Sequence, residues 1–200
     1  MPMSPLTAAA QKLLFTYEGM DQPWEWPGGQ SGITLGIGYD LGQCTADSFH
    51  ADWSSILGDE GCNALKCAIG VKGDAARALA PQFRPYRITP ADAEKVFVNS
   101  SAPKYMKLTE QAFPGVDKLP PDAQGALFSL VYNRGISMNG DSRLEMRNIR
   151  DAVAKGDLAE IAKQLRAMKR LWQGKNMDGL LKRRDAEAAL VESCIGAVAG

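Results

Sequence analysis

Two hundred residues fall within the range of one domain, and a chain of this size can bury a substantial core without disulfides or metals to staple it. The 23 basic residues balance the 23 acidic ones, so no net field favours nucleic acid or an anionic membrane, and neither is expected as a partner. With 45% hydrophobic and 23% charged residues the composition is that of an ordinary globular protein, far from the disordered class.

No stretch approaches the roughly 20 apolar residues of a spanning helix, and the start lacks the basic, apolar, small-residue order of a signal peptide. A soluble chain made in the cytoplasm is therefore expected. In that reducing setting Cys44, Cys62, Cys67 and Cys194 read as buried thiols or at most one bridge. They include no C-x-x-C pair and His50 is the single histidine, so no metal and no cofactor are expected.

The first predicted element is a helix over residues 5–18, with Leu6, Ala9, Ala10, Leu13, Leu14 and Tyr17 at helical spacing. Ser4 is its candidate N-cap, Pro5 its first helical residue, and Glu18 and Gly19 its end. From Met20 to Gly42 prolines and six glycines between Gly28 and Gly42 weaken any helix and predict a loop followed by a short strand or hairpin. From Thr45 the pattern is helical almost to the end. Thr89-Pro90-Ala91-Asp92 is a capped start, followed by Ala93, Val96, Phe97 and Ser100 on one face. Pro120-Pro121-Asp122 opens a helix with the face Ala123, Ala126, Leu127, Leu130 and Val131, which Gly135 closes. Helices over 141–155, 158–172 and about 179–191 follow. No internal repeat or low-complexity linker interrupts them. The fold class is mainly α, a helical domain with a small N-terminal β hairpin: one domain over 1–200, with a β-containing lobe at about 19–45 and a helical lobe at about 46–200 plus the helix 5–18.

A carboxylate at the end of an amphipathic helix, then a Gly-rich loop, then Thr34-Leu-Gly36-Ile-Gly38-Tyr39-Asp40-Leu-Gly42, is the feature that carries chemistry. A helix C-terminus disfavours negative charge, so Glu18 sits where the macrodipole would prefer a cation. Cleaving a glycosidic bond needs one carboxylic acid to protonate the leaving oxygen and a second group across the sugar to hold water or attack. Glu18, Glu25 and Asp40 are the acidic candidates, and Thr34 is placed to orient a water. The bland readings are a solvated helix end for Glu18, a turn cap for Asp40 and a strand residue for Thr34.

Tyr17-Glu18-Gly19 with Thr34-x-Gly36-x-Gly38 resembles the phage-type lysozymes, glycoside hydrolase family 24, and related bacteriocin and secreted-effector muramidases. Asp122-Ala-Gln-Gly-Ala-Leu-Phe-Ser-Leu-Val-Tyr-Asn133-Arg134-Gly135 is similar to the family's central helix. Gly179-Leu-Leu-Lys-Arg183-Arg184-Asp-Ala-Glu187-Ala-Ala-Leu190 is similar to its last one. Midway between Glu and Thr, where many members carry an acidic or cysteine residue, this chain has Pro27-Gly28-Gly29. Asp40, six residues after Thr34, matches the bacteriocin variant, and Glu25 is the competing replacement.

The resemblance implies a lysozyme-like fold and a monomer that hydrolyses the β-1,4 bond between N-acetylmuramic acid and N-acetylglucosamine, with Glu18 as acid and Asp40, helped by Thr34, holding the water of an inverting reaction. Substrate contacts are expected from Tyr39, Trp26, Asn133 and Arg134, although Trp26 also reads as a lid over the core and Asn133 as a helix cap. Arg183 and Arg184 read as salt-bridge partners or a solvated face, and the basic run from Lys163 to Arg170 as the wet side of its helix. The partner is a peptidoglycan strand, joined by an inhibitor or immunity protein if the chain is a secreted effector. The route to the wall is a phage holin, lysis or a secretion machine. A lytic transglycosylase, which needs only one acid, and a non-catalytic glycan-binding module are the competing functions.

Overall fold

The computed structural model describes residue 3 and residues 5–196. It is 68% helical, with one two-stranded antiparallel sheet near the N-terminus. The chain divides into two compact units, Met1–Tyr17 with Lys104–Gly200 and Glu18–Pro103.

In the first unit, helix α1 (Ala8–Glu18) starts three residues later than Pro5 suggested. Thr7 is the reason: its Oγ1 accepts from the Ala10 amide at 3.1 Å while its carbonyl takes the Gln11 amide at 2.9 Å, the geometry of an N-cap. Ser4, the expected cap, lies outside the described residues. Ala10, Leu13 and Leu14 form the buried face. Helix α5 (Ala102–Ala112) is followed by α6 (Pro121–Arg134), which is buried at every position from Ala123 to Val131, as a central helix must be. Gly135 ends α6.

Helices α7 (Leu144–Lys155), α8 (Leu158–Ala167) and α9 (Asp178–Glu192) complete the unit. The segments expected as helix at 141–143 and 168–171 are 3-10 turns flanking α7 and α8. Ile161, Leu165 and Met168 point inward as the basic run required. Its cations are paired: Lys163 with Glu160, Arg166 with Glu192, Lys169 with Asp185 and Arg170 with Asp141 and Glu145. Arg183 and Arg184 are buried and bonded to Glu187, so the salt-bridge reading holds and the solvated-face reading does not.

The second unit holds the hairpin. Strands β1 (Thr34–Leu35) and β2 (Tyr39–Asp40) pair with Thr34 opposite Asp40 and Leu35 opposite Tyr39. Helices α2 (Ala46–Leu65, kinked at Gly58), α3 (Gly73–Leu79) and α4 (Pro90–Val96) follow, and a π-helical turn at Phe97–Ser101 carries α4 into α5. Thr89 caps α4 in a reciprocal box with Asp92, as its sequence required.

This unit runs to Pro103, well past the boundary near 45 expected for a β-containing lobe. The hairpin is too short to bury its own apolar side and takes its core from α2 and α4. Tyr39 meets Trp53 edge-on at 5.6 Å, and a Cβ on Gly36 would sit 2.8 Å from that of Ala93. None of the four cysteines forms a disulfide. Cys62 and Cys194 are buried, Cys44 is half-buried, and Cys67 is exposed, which corrects the expectation that all four are interior. Among the described residues no helix is long and apolar enough to cross a membrane, and no group of side chains could hold a metal ion.

Candidate active site

Six of the eight residues singled out by sequence lie in the unit Glu18–Pro103. Glu18 is the last residue of α1 and half-buried. Three residues later Asp21 forms an isolated antiparallel bridge with Gly36, its amide donating to the Gly36 carbonyl and its carbonyl accepting from the Gly36 amide, both at 2.8 Å. The stretch after the helix is therefore fastened to the turn that follows Thr34. A second fastening comes from Gln22, whose side-chain amide imitates a strand partner. It donates to the Ile88 carbonyl at 2.8 Å and accepts the Ile88 amide at 2.9 Å.

The hairpin register sets Thr34 directly opposite Asp40, so the two side chains emerge on the same face of the sheet. Thr34 is 5% exposed and its hydroxyl donates weakly to the Gly32 carbonyl at 3.4 Å. Asp40 is held hard. Its Oδ1 accepts the Gly32 amide at 3.0 Å and the Gly42 amide at 2.7 Å, while among the described residues Oδ2 accepts from the side chain of exposed Gln43 at 3.3 Å. Gly32 is obligatory there, because a Cβ would stand 2.4 Å from Asp40 Oδ1. Asp40 is thus the N-cap of the 3-10 turn Leu41–Gln43, the structural role that Asp beside Gly commonly takes. One oxygen carries that role, and the other remains within reach of a small donor.

Glu25 is exposed and closes a turn on itself, its Oε2 accepting the Gln22 amide at 3.1 Å and its own amide donating to the Gln22 carbonyl at 2.8 Å. Trp26 donates its indole N–H to the Ser31 carbonyl at 3.0 Å, and the Arg77 guanidinium lies 6.0 Å from its ring centroid. Its ring is partly covered. Tyr39 turns inward: its hydroxyl donates to Asp52 Oδ2 at 2.7 Å, and Ser100 donates to the other oxygen at 2.6 Å. Burial and the Asp52 carboxylate push the Tyr39 phenol up from its ordinary pKa.

The acidic residue that sequence reasoning missed is Asp21. Burial, then the Glu25 and Glu18 carboxylates, push its carboxyl from 3.8 up to about 6. The family resemblance places a second carboxylate midway between residues 18 and 34, and a residue only three past Glu18 carries no such signal.

Asn133 and Arg134 belong to the other unit, at the C-terminal end of α6. Asn133 is exposed. Arg134 donates through Nη2 to the Ser142 carbonyl at 2.7 Å and stacks on Trp172, 4.9 Å from the ring centroid.

A family model described as phage lysozyme matches residues 60–187, well over half of the chain. The chain belongs to the phage lysozyme family. No curated protein matches it. Membership in the phage lysozyme family makes this a peptidoglycan-lytic enzyme with peptidoglycan as its substrate. The match takes in the whole central-helix block 122–135 and most of the final-helix block, up to Glu187. It begins after the hairpin and does not cover Glu18, Thr34 or Asp40.

Proposed function

We propose that the chain is an N-acetylmuramidase that hydrolyses the β-1,4 bond between N-acetylmuramic acid and N-acetylglucosamine. The observation that carries this reading is the pairing of Thr34 with Asp40 in the same unit as Glu18, the hairpin turn being fastened through Gly36 to the residues just after α1. Glu18 donates the proton to the leaving oxygen. Asp40, fixed through Oδ1 by two backbone amides, uses Oδ2, with Thr34 beside it, to hold and deprotonate the attacking water in an inverting reaction. Glu25 is committed to its own turn and is assigned no step.

Turbidity loss of purified cell walls tests the roles. Glu18→Gln and Asp40→Asn are expected to lower the rate by about 10²–10⁴-fold, the usual worth of a general acid or base, while Glu25→Gln keeps a good part of the activity. Full activity in Asp40→Asn alongside loss in Glu25→Gln would reverse the assignment of the second carboxylate.

The enzyme acts as a monomer on the wall after holin release, lysis or delivery by a secretion machine. If it is delivered as an antibacterial effector, the producing cell needs an inhibitor protein. A pull-down from the native host that recovers none would contradict the effector route.

A further inference from the structure

In the unit that carries α6 to α9, neither Arg134 nor Arg143 has an ion pair among the described residues. Arg134 lies at the end of α6 with its guanidinium over Trp172, and Arg143 lies at the far end of the exposed loop that follows. That loop is fastened by guanidinium groups bonding to its carbonyls: Arg134 to Ser142, Arg147 to Met138 and Gly140, and Arg170 to Asp141. The nearby carboxylates bond to other groups, although Glu187 Oε2 is buried without a partner among the described residues. Glu145 is bonded to Arg170, and Glu187 to Arg183, Arg184 and Ser129.

Among the described residues Arg134 Nε and Arg143 Nη1 are buried with no acceptor. Each such donor costs desolvation that no internal bond returns. Burial, with Arg143 and then Arg184 as like-charged neighbours, pulls Arg134 down to about 10. Arg134 is thus held over an indole face on a half-exposed ledge, its Nη2 bonded to the carbonyl of Ser142, the residue before Arg143. Such an arrangement stabilises the fold poorly and suits an incoming anion well.

We propose that Arg134, Arg143 and Trp172 form a subsite for a carboxylate on the muramic acid arm of the glycan, the indole packing against the adjoining sugar or lactyl carbons. This rests on the wall-glycan substrate proposed above. The chemistry it adds is a preference for anionic over neutral amino sugars, supplied by guanidinium groups whose planar forks suit a carboxylate.

The test uses the full chain as it is. Side-chain N–H resonances of Arg134, Arg143 and Trp172 are followed by NMR during separate titrations with N-acetylmuramic acid, which carries the lactyl carboxylate, muramoyl dipeptide, whose carboxylates lie on the stem peptide, and neutral N-acetylglucosamine. Saturable shifts with either acid and none with the neutral sugar are expected, the responding acid identifying which carboxylate is held. In binding to carboxylate-bearing glycan strands relative to chito-oligosaccharide, Arg143→Met is expected to lose about 10-fold of the preference, on the scale of one charge-assisted bond, with Arg143→Lys recovering part of it.

Shifts with neither acid, or equal shifts with all three sugars, overturn the proposal, and that wild-type measurement stands even if the variant does not fold. Wall cleavage without a carboxylate preference would sink the subsite alone. A carboxylate preference without cleavage would sink the muramidase reading and leave the subsite in place.

Discussion

Asp21 shows how one backbone contact sets the chemistry of a side chain. Its two bonds to Gly36 and the Gln22 clamp on Ile88 fix the main chain that carries the carboxyl, half-buried and within the field of Glu25 and Glu18. The consequence is a group at about 6 in the folded chain against 3.8 in the unfolded one. The folded state therefore holds this proton more tightly. Its contribution to stability is complete below the unfolded value, declines as pH rises from 3.8 to about 6, and stays lost above that. Asp21→Asn removes the decline. At pH 7 it is expected to stabilise the chain by about 1 kcal/mol, the full shift being discounted for partial exposure, and to raise Tm by about 2–4 °C. The gain should shrink towards zero by pH 4. Thermal melts showing the same increment at both pH values would contradict an origin in the raised carboxyl.

At the scale of elements, the segment between α1 and the hairpin has little regular structure of its own and is held by borrowed partners. Gln22 supplies both a donor and an acceptor to the backbone of Ile88, so Gln22→Ala strips two bonds from a half-buried backbone. A cost of about 1–3 kcal/mol is expected by denaturant titration. A change below about 0.5 kcal/mol would mean that the clamp is incidental.

Such fastenings explain what the sequence could and could not tell. The helices from Pro90 and from Pro121 are legible because proline, cap and apolar period agree in each. The hairpin is legible from its glycines, Gly36 among them with its left-handed φ of 57°, though the packing of Ala93 against Gly36 is a tertiary fact invisible in one dimension. The start of α1 departs from expectation because Thr7 outcompetes Pro5 through hydrogen bonds that composition does not reveal. In the site, Thr34 and Asp40 stand out by spacing and meet across the strands. The place of Tyr39 in the turn suggests a sugar contact, and nothing local foretells that Asp52 binds its hydroxyl. Asp21 escapes a reading of the sequence because its perturbation comes chiefly from the burial that folding imposes.

Across the whole molecule, stability rests on two compact units whose cores are assembled without covalent staples. Cys62 and Cys194 are buried, and burial pushes the Cys62 thiol up from its ordinary value, whereas Cys67 is exposed. A thiol-reactive maleimide is accordingly expected to label Cys67 first in the native protein, and an excess of dithiothreitol to leave Tm unchanged within about 1 °C, since no cross-link constrains the unfolded chain. A fall of several degrees under reductant would reveal a bridge absent from this fold. The balanced 23 acidic and 23 basic residues leave local placement of charge, rather than net charge, to recognise the wall.

Mass spectrometry of the fragments released from purified peptidoglycan bears most directly on the central claim. The wild-type chain should yield fragments ending in reducible N-acetylmuramic acid, and Glu18→Gln, folded and with an unchanged melt, should yield almost none. Fragments ending in 1,6-anhydro sugar, or undiminished release by Glu18→Gln, would contradict hydrolysis driven by a proton from residue 18.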